Sequence, residues 1–442
     1  MDVRGEVAGK PGLPDAASAS PARRWSVVGL LMIAYILSLA DRQIMSLLVG
    51  PIRADLQVSD TEMSLLMGLS FALFYTVCGL PVARIADSGS RRLLIATGVA
   101  FWSLATAACG TAQRYWTLML ARMGVGIGEA ALSPAAYSLI TDLFPPGQRA
   151  LAVSIYSSGI YVGSGLALAG GGLIVSWAES MGAITLPVLG IIRSWQVVFL
   201  VLGLAGAVFS LVLLVLLKEP PRGHAHRSAS LAEVGATIRS KWTAVVGHNL
   251  GFGLVSVVAY ATLGWTPSFF IRVHGLTAAE VGVQYGIVVA LAGTLAIVLG
   301  GRVADVLVAS GRRDGAMRVA LAAALAGIPA CSLFLWPSSS ALAMVLTAPV
   351  MFCLALPMGA GPAALQELFP SNMRGQASAL YIFVVNLIGL GLGPTVVALL
   401  TEHVFEDPKA VGKSLAIVAV VGLTGAALCF QWGRRQFLRH LP

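Results

Sequence analysis

The chain has 442 residues, 57% hydrophobic and 11% charged, with a net charge of +9 and a mean hydropathy of +0.84. Soluble domains carry about a quarter charged residues, so this composition excludes an ordinary soluble enzyme and describes a polytopic membrane protein. The basic excess is a matter of where arginines lie along a membrane topology and implies no nucleic-acid partner.

Residues 1–24 are rich in Ala, Pro, Gly and Arg and are predicted to be a disordered cytoplasmic tail, not a signal peptide. A spanning helix needs about 20 apolar residues. Twelve such stretches follow, near 25–50, 61–86, 92–112, 115–143, 149–179, 195–217, 242–272, 276–308, 316–335, 338–369, 373–403 and 411–432. The basic connection at 218–241 divides them into a six-helix bundle over 25–217 and a second over 242–435, with a cytoplasmic tail at 436–442. With both termini cytoplasmic, 21 Lys and Arg fall on the cytoplasmic side against six outside, which sets both termini inside. The three asparagines form no N-x-S/T sequon, which fits a bacterial inner membrane.

The first stretch carries Asp41 and Arg42 near its outer end, with Tyr35, Ser38 and Ser46 on the helix face of Arg42. Arg42 can ligate an anion through its forked donors, or simply reach out to headgroups. The fourth stretch holds Arg122 and Glu129, which share a helix face with Gly126 and Ser133. A charge at mid-bilayer costs roughly 3 kcal/mol on insertion scales, so this face must meet a cavity or a partner. A structural ion pair tying helices together is the plainer reading of the same residues. By helix rise, Asp41 lies about 24 Å from the start of its stretch and Arg122 about 10 Å from the opposite side, which places them at one depth and predicts that they pair. Glu129 lies about 10 Å deeper. A carboxylate between an apolar cavity and a guanidinium can gain a proton in one state and lose it in another, so Asp41 and Glu129 are the proton-coupling candidates.

The second bundle has no Asp, Glu, Lys or Arg deep in its stretches; Asn249, Gly253, Ser256 and Tyr260 form its mild polar stripe. Charge on one wall and apolar groups on the other suit an amphipathic anion, with Arg42, Arg122, Tyr35, Ser133, Asn249 and Tyr260 as substrate-binding candidates. At cytoplasmic helix ends stand Asp87, Arg91, Arg92, Asp142, Arg149, Asp305, Glu367 and Arg374. They are expected to pair across the halves when that side is closed, unless they only set the topology. The five cysteines lie inside apolar stretches and the six histidines show no ligand spacing, so neither metal nor cofactor is expected. Gly412-Lys413-Ser414 is not a phosphate-binding loop, since the first glycine would fall at Asp407. No enzyme is expected.

Two motif pairs repeat in order. Ala83-Arg84-Ile85-Ala86-Asp87 returns as Gly301-Arg302-Val303-Ala304-Asp305, and Asp142-Leu143-Phe144-Pro145 with Arg149 returns as Glu367-Leu368-Phe369-Pro370 with Arg374. Such parallel repeats place a substrate site between the halves near the midplane. The loop with Asp87, Gly89, Arg91 and Arg92 resembles the signature between helices 2 and 3 of the major facilitator superfamily, with Ala83 and Ser88 as departures. Ala40-Asp41-Arg42, Asp55-Leu56, Ser59-Asp60 and Gly126-Ile127-Gly128-Glu129-Ala130 with Pro134 resemble the Spinster family of lipid transporters.

This resemblance implies an all-α fold of twelve transmembrane helices in two six-helix bundles. It also implies proton-coupled, alternating-access transport of an anionic amphipathic lipid, such as a lysophospholipid or a sphingosine-1-phosphate-like molecule. The expected partners are that substrate, protons and the bilayer, with the chain a monomer. Much of the N-terminal pattern is shared with proton-linked transporters of sugar acids and other organic anions, which stay open as an alternative, as does a lipid sensor that does not transport.

Overall fold

The computed structural model describes residues 20–186, 190–219, 231–370 and 373–440. The expected tail up to residue 19 and the linker residues 220–230 lie outside them. Helix α1 (Pro21–Leu47) begins before the apolar stretch does, because Pro21 suits a first helical position and the Ser20 hydroxyl accepts the Arg23 N–H. Hydropathy marks where a helix enters lipid, whereas caps mark where it starts.

A short helix α2 (Val49–Leu56) ends at Gln57 in a left-handed conformation with φ 52°. Next, α3 (Asp60–Met67) opens on a reciprocal cap between Ser59 and Glu62 and runs on past Gly68 as α4 (Leu69–Ser88). Then come α5 (Arg91–Cys109), α6 (Tyr115–Glu129), α7 (Leu132–Leu143) and α8 (Pro146–Met181). A small antiparallel hairpin follows, β1 (Ile184–Leu186) with β2 (Gly190–Ile192), Ile184 opposite Ile192. Helix α9 (Ser194–Leu216) closes the first half. The linker contributes α10 (Leu231–Ser240), whose Val234 is buried and whose Thr237 touches Met373.

The second half comprises α11 (Trp242–His274), α12 (Ala278–Ala309), α13 (Gly315–Leu333), α14 (Ser340–Ala355), α15 (Gly361–Glu367), α16 (Arg374–Val384), α17 (Gly391–Leu399) and α18 (Val411–His440). Helices α14 and α15 form one segment interrupted by a tight turn at Leu356–Gly359. Likewise α16 and α17 form one segment joined by π-helical turns, at Val385–Leu390 between them and at Leu400–Val404 beyond. Among the described residues, eleven helical spans are long and apolar enough to cross a membrane. The twelfth segment is α6 with α7, broken after Glu129 and carrying the two buried charges.

Each half packs on itself, α1 on α8 and α5 on α6 and α9 in the first, α18 on α11 and α13 in the second. The halves meet along two seams and where α1 approaches α11 between them. At one, α8 lies on α12, where Gly165, Gly172, Gly282 and Gly286 bring the backbones together. At the other, α3 and α4 lie on α17 and the π turn before it. The bundle has two ends: a termini-bearing face, where Lys241 reaches the carbonyl of His440, and the opposite face, where α3 begins and α11 ends.

Candidate functional site

Gly126 lets α6 settle onto α4, since a Cβ there would stand 2.7 Å from the Phe71 carbonyl oxygen. This close approach brings Glu129 to α1. The Arg42 guanidinium donates to Glu129 Oε2 from Nη2 at 2.6 Å and from Nε at 2.8 Å. The Ser38 hydroxyl donates to the same oxygen at 2.5 Å. Phe71 and Tyr75 of α4 face the guanidinium, with ring centres 4.3 and 4.9 Å away, an arrangement that holds a cation by its charge and by its flat face. Glu129 Oε1 accepts no hydrogen bond. The Glu129 side chain is fully buried, while that of Arg42 is 15% exposed, so the arginine is the group a ligand can reach first.

Arg122 differs from the expectation. Its Nη1 donates to the backbone carbonyl of Asp41 at 3.2 Å and its Nε to that of Leu66 at 3.4 Å, so the depth match with Asp41 is real but the partner is the main chain. The Arg122 guanidinium is buried, and Nη2 lacks a hydrogen bond. The buried Asp41 carboxylate lies beside Thr106 of α5. Equal depth fixes neither rotation about the helix axis nor which atom is met. Thus Glu129 engages Arg42, the arginine next to Asp41 in sequence, and not Arg122 on its own helix.

Tyr35 stacks on Tyr156 of α8 at 5.2 Å, and Ser133 faces the same tyrosine. Tyr260 comes from the other half to within electrostatic reach of Arg42 and donates to Asn386 at 3.4 Å. Asn249 is turned back on its own helix, its amide donating to the Val245 carbonyl at 2.9 Å, and no described contact joins it to Arg42 or Glu129. Tyr35, Arg42, Glu129 and Tyr260 therefore form one group, Ser133 its edge, and Asn249 stands apart.

At the termini-bearing face no described ion pair joins one half to the other, and one ties the first half to the start of the linker. Arg91, 1% exposed, donates to Asp142 at 2.5 Å and to Glu219 at 3.2 Å. Arg92 reaches the Leu214 carbonyl, and Arg149 that of Phe144 at 2.8 Å. Asp314 holds Arg318 at 2.7 Å and Arg434 at 3.3 Å, and Glu367 lies near Arg313 and Arg374 of its own half. Asp305 is exposed, and the Asp87 side chain lies outside the described ones. Among the described residues, the expected ion pairing across the halves is not seen at this face.

It is seen at the opposite face, on Asp60, which stands out in the sequence only as part of a family motif, and on Thr61, Arg272 and Glu402. Asp60 binds Arg272 of the second half at 2.7 Å, and Thr61 donates to Glu402 from its backbone N–H at 2.9 Å and its hydroxyl at 2.7 Å. The signal was available, since a carboxylate directly after the cap residue Ser59 is well placed to bond beyond its own helix.

Comparison with known proteins agrees with this architecture. A model of the Major Facilitator Superfamily matches residues 31–394. A protein named MFS-type efflux pump from Mycolicibacterium smegmatis is 31% identical over 440 residues, 95% of each chain. Protein spinster homolog 1 of Homo sapiens is 26% identical over 96% of this chain and 83% of its own. The fold superposes on a crystal structure of a bacterial homolog to the human lysosomal transporter Spinster in an inward-facing and unoccupied conformation, with TM-score 0.80, 26% identity and coverage of 96% of this chain and 99% of that one. Sugar-acid transporters, such as the hexuronate transporter of Bacillus subtilis, are also among its relatives. The chain belongs to the Major Facilitator Superfamily, as a membrane transporter related to Spinster and not an enzyme.

Proposed function

We propose that the protein carries an anionic amphipathic lipid, of the lysophospholipid or sphingosine-1-phosphate-like class, across a bacterial inner membrane by proton-coupled alternating access, both termini being cytoplasmic. The observation that carries this reading is the Arg42–Glu129 pair. A guanidinium with two aromatic rings on its face is neutralised by one buried carboxylate and is itself partly open. An anionic headgroup competes with Glu129 for that guanidinium, and a proton on Glu129 removes the competitor. Substrate and proton then favour each other through a shared arginine. Asp41 is the second proton candidate, held beside Thr106 and within electrostatic reach of Glu129 and Arg122. Arg122, tied to two carbonyls, holds α1 and α3 in place around the site rather than meeting the headgroup first.

The other wall supports a lipid over a sugar acid. Near Arg42 the second half offers Tyr260 and Asn386 as polar groups, whereas a sugar acid presents a hydroxyl on nearly every carbon and needs a partner for each. Flux into proteoliposomes tests the reading. Glu129→Gln is expected to retain binding of a lysophospholipid with little dependence on pH, while proton-driven uptake fails. Arg42→Ala is expected to lose binding of anionic amphiphiles. Uptake by Glu129→Gln with the wild-type pH profile moves the proton role to Asp41, and stabilisation of the protein by hexuronate but by no lysolipid returns the sugar-acid alternative.

A further inference from the structure

The connection carrying Asp55-Leu56 and Ser59-Asp60 takes no part in the Arg42–Glu129 group. Its chemistry is at the seam between the halves. The buried Asp60 carboxylate receives both terminal nitrogens of Arg272, each at 2.7 Å, a forked pair across the halves. A second arginine meets the same carboxylate from its own half, Arg53 of α2, with Nε 3.2 Å from Oδ1. Arg53 also donates to the Val58 carbonyl at 3.3 Å, which holds it in this place whether or not the halves touch. On the other side, Arg272 lies over the Trp265 ring at 5.5 Å and near the Pro408 carbonyl at 3.3 Å. Each member of the cross-seam pair thus keeps a resident partner within its own half.

We propose that Asp60 is a handover latch, bound by Arg272 while the opposite face is closed and taken over by Arg53 when the halves part. A buried ion pair broken by simple separation leaves an uncompensated charge and resists opening strongly. With Arg53 already on the carboxylate, and Trp265 and Pro408 already on Arg272, the pair separates without stranding either charge. The cap of α3 by Ser59 and Glu62 keeps the aspartate in position throughout. Two arginines on one carboxylate therefore act in opposite directions: Arg272 favours the closed face and Arg53 favours opening.

The inference rests on the alternating-access reading, but its test uses no substrate, so that a wrong lipid assignment and a wrong latch give different results. Met67 lies at the seam, close to Gly264 of the second half. Met67→Cys, in the full chain with its five cysteines replaced by alanine, is labelled in spheroplasts by a membrane-impermeant maleimide. Glu402→Gln is included in every version so that the parent rate is readable. Arg272→Ala should label several-fold faster than the parent, Arg53→Ala several-fold slower, and Arg53→Lys at close to the parent rate. Size-exclusion profiles confirm that each variant is folded. An Arg53→Ala variant that labels as fast as Arg272→Ala, or at the parent rate, overturns the handover, and an Arg272→Ala variant that labels no faster overturns the latch itself.

Discussion

The two ends of this molecule use the same chemistry for different purposes. At the termini-bearing face a buried arginine gathers two carboxylates, Asp142 of its own half and Glu219 at the start of the linker that leaves it, around Arg91. At the opposite face a buried carboxylate gathers two arginines, one from each half, Arg53 and Arg272 around Asp60. An ion pair inside one rigid unit is made in every state and contributes to the fold. A pair across two units is made in one state only and shifts the balance between states. What an ion pair does is decided by which bodies it joins, and burial alone does not reveal it.

The comparison is sharpest where a single change should alter the fold and leave the state alone. Arg91→Ala removes a buried guanidinium from two part-exposed carboxylates, which costs about 3 kcal/mol. A large fall in melting temperature is expected, with no bias in seam labelling. Glycines give the next test. A Cβ on Gly68 would strike the Leu390 carbonyl oxygen across the seam, whereas one on Gly128 would stand 2.7 Å from the Trp102 backbone of the same half. Overpacking of this kind costs about 1–3 kcal/mol. Gly68→Ala should relieve it by opening, raising labelling of the opposite face at nearly constant melting temperature, whereas Gly128→Ala cannot escape and should lower the melting temperature. If both variants melt alike and label alike, the division into fold and state contacts fails.

Smaller effects follow at the rims. Glu402→Gln weakens two hydrogen bonds from Thr61, worth about 1 kcal/mol of the closed state, and labelling should rise modestly. Glu219 gives a pH signature. Burial acts to raise its proton affinity, but the Ser90 hydroxyl and the Arg91 amide and guanidinium outweigh it and hold the carboxyl below its ordinary value of 4.5. A lowered folded-state value contributes stability that is present above the ordinary value and is lost as pH falls through the folded one. The melting temperature of the wild type should therefore exceed that of Glu219→Gln at neutral pH, and the gap should close below about pH 4.5. A gap that is constant with pH would show that the glutamate acts by its shape alone.

The halves, the spanning segments and the buried charges were legible in the sequence because lipid imposes a coarse rule that composition records directly. Arg122, Glu129 and Asp41 stood out as charges in apolar runs, and the structure buries all three. Their pairing was not legible. Helix rise places Arg122 level with Asp41, but a side chain meets its partner through helix rotation and crossing angle, which depend on Gly126 lying against Phe71. Asp60 stood out only as part of the Ser59-Asp60 motif, and its partner was hidden for a different reason: next to the cap of Ser59 and Glu62, an acidic residue in a first helical turn needs no distant partner. The second half's arginine in question, Arg272, was counted among outward-facing basic residues, where its sign was used and its neighbours were not.

One seam has mechanical implications beyond packing. Along α8 and α12 the contact is backbone on backbone: a Cβ on Gly282 would stand 2.5 Å from the Leu168 carbonyl oxygen and one on Gly286 2.5 Å from that of Gly165. At these glycines no side chain interlocks, so this stretch behaves as a bearing, which tolerates sliding and tilting but gains nothing from being widened, with Tyr161 of α8 seated over Gly293 farther along α12. The other seam has side chains, hydrogen bonds and a latch. Motion of one half against the other is then expected to pivot on α8 and α12 and to swing open along α4 and α17, like a door whose hinge and handle are on opposite edges.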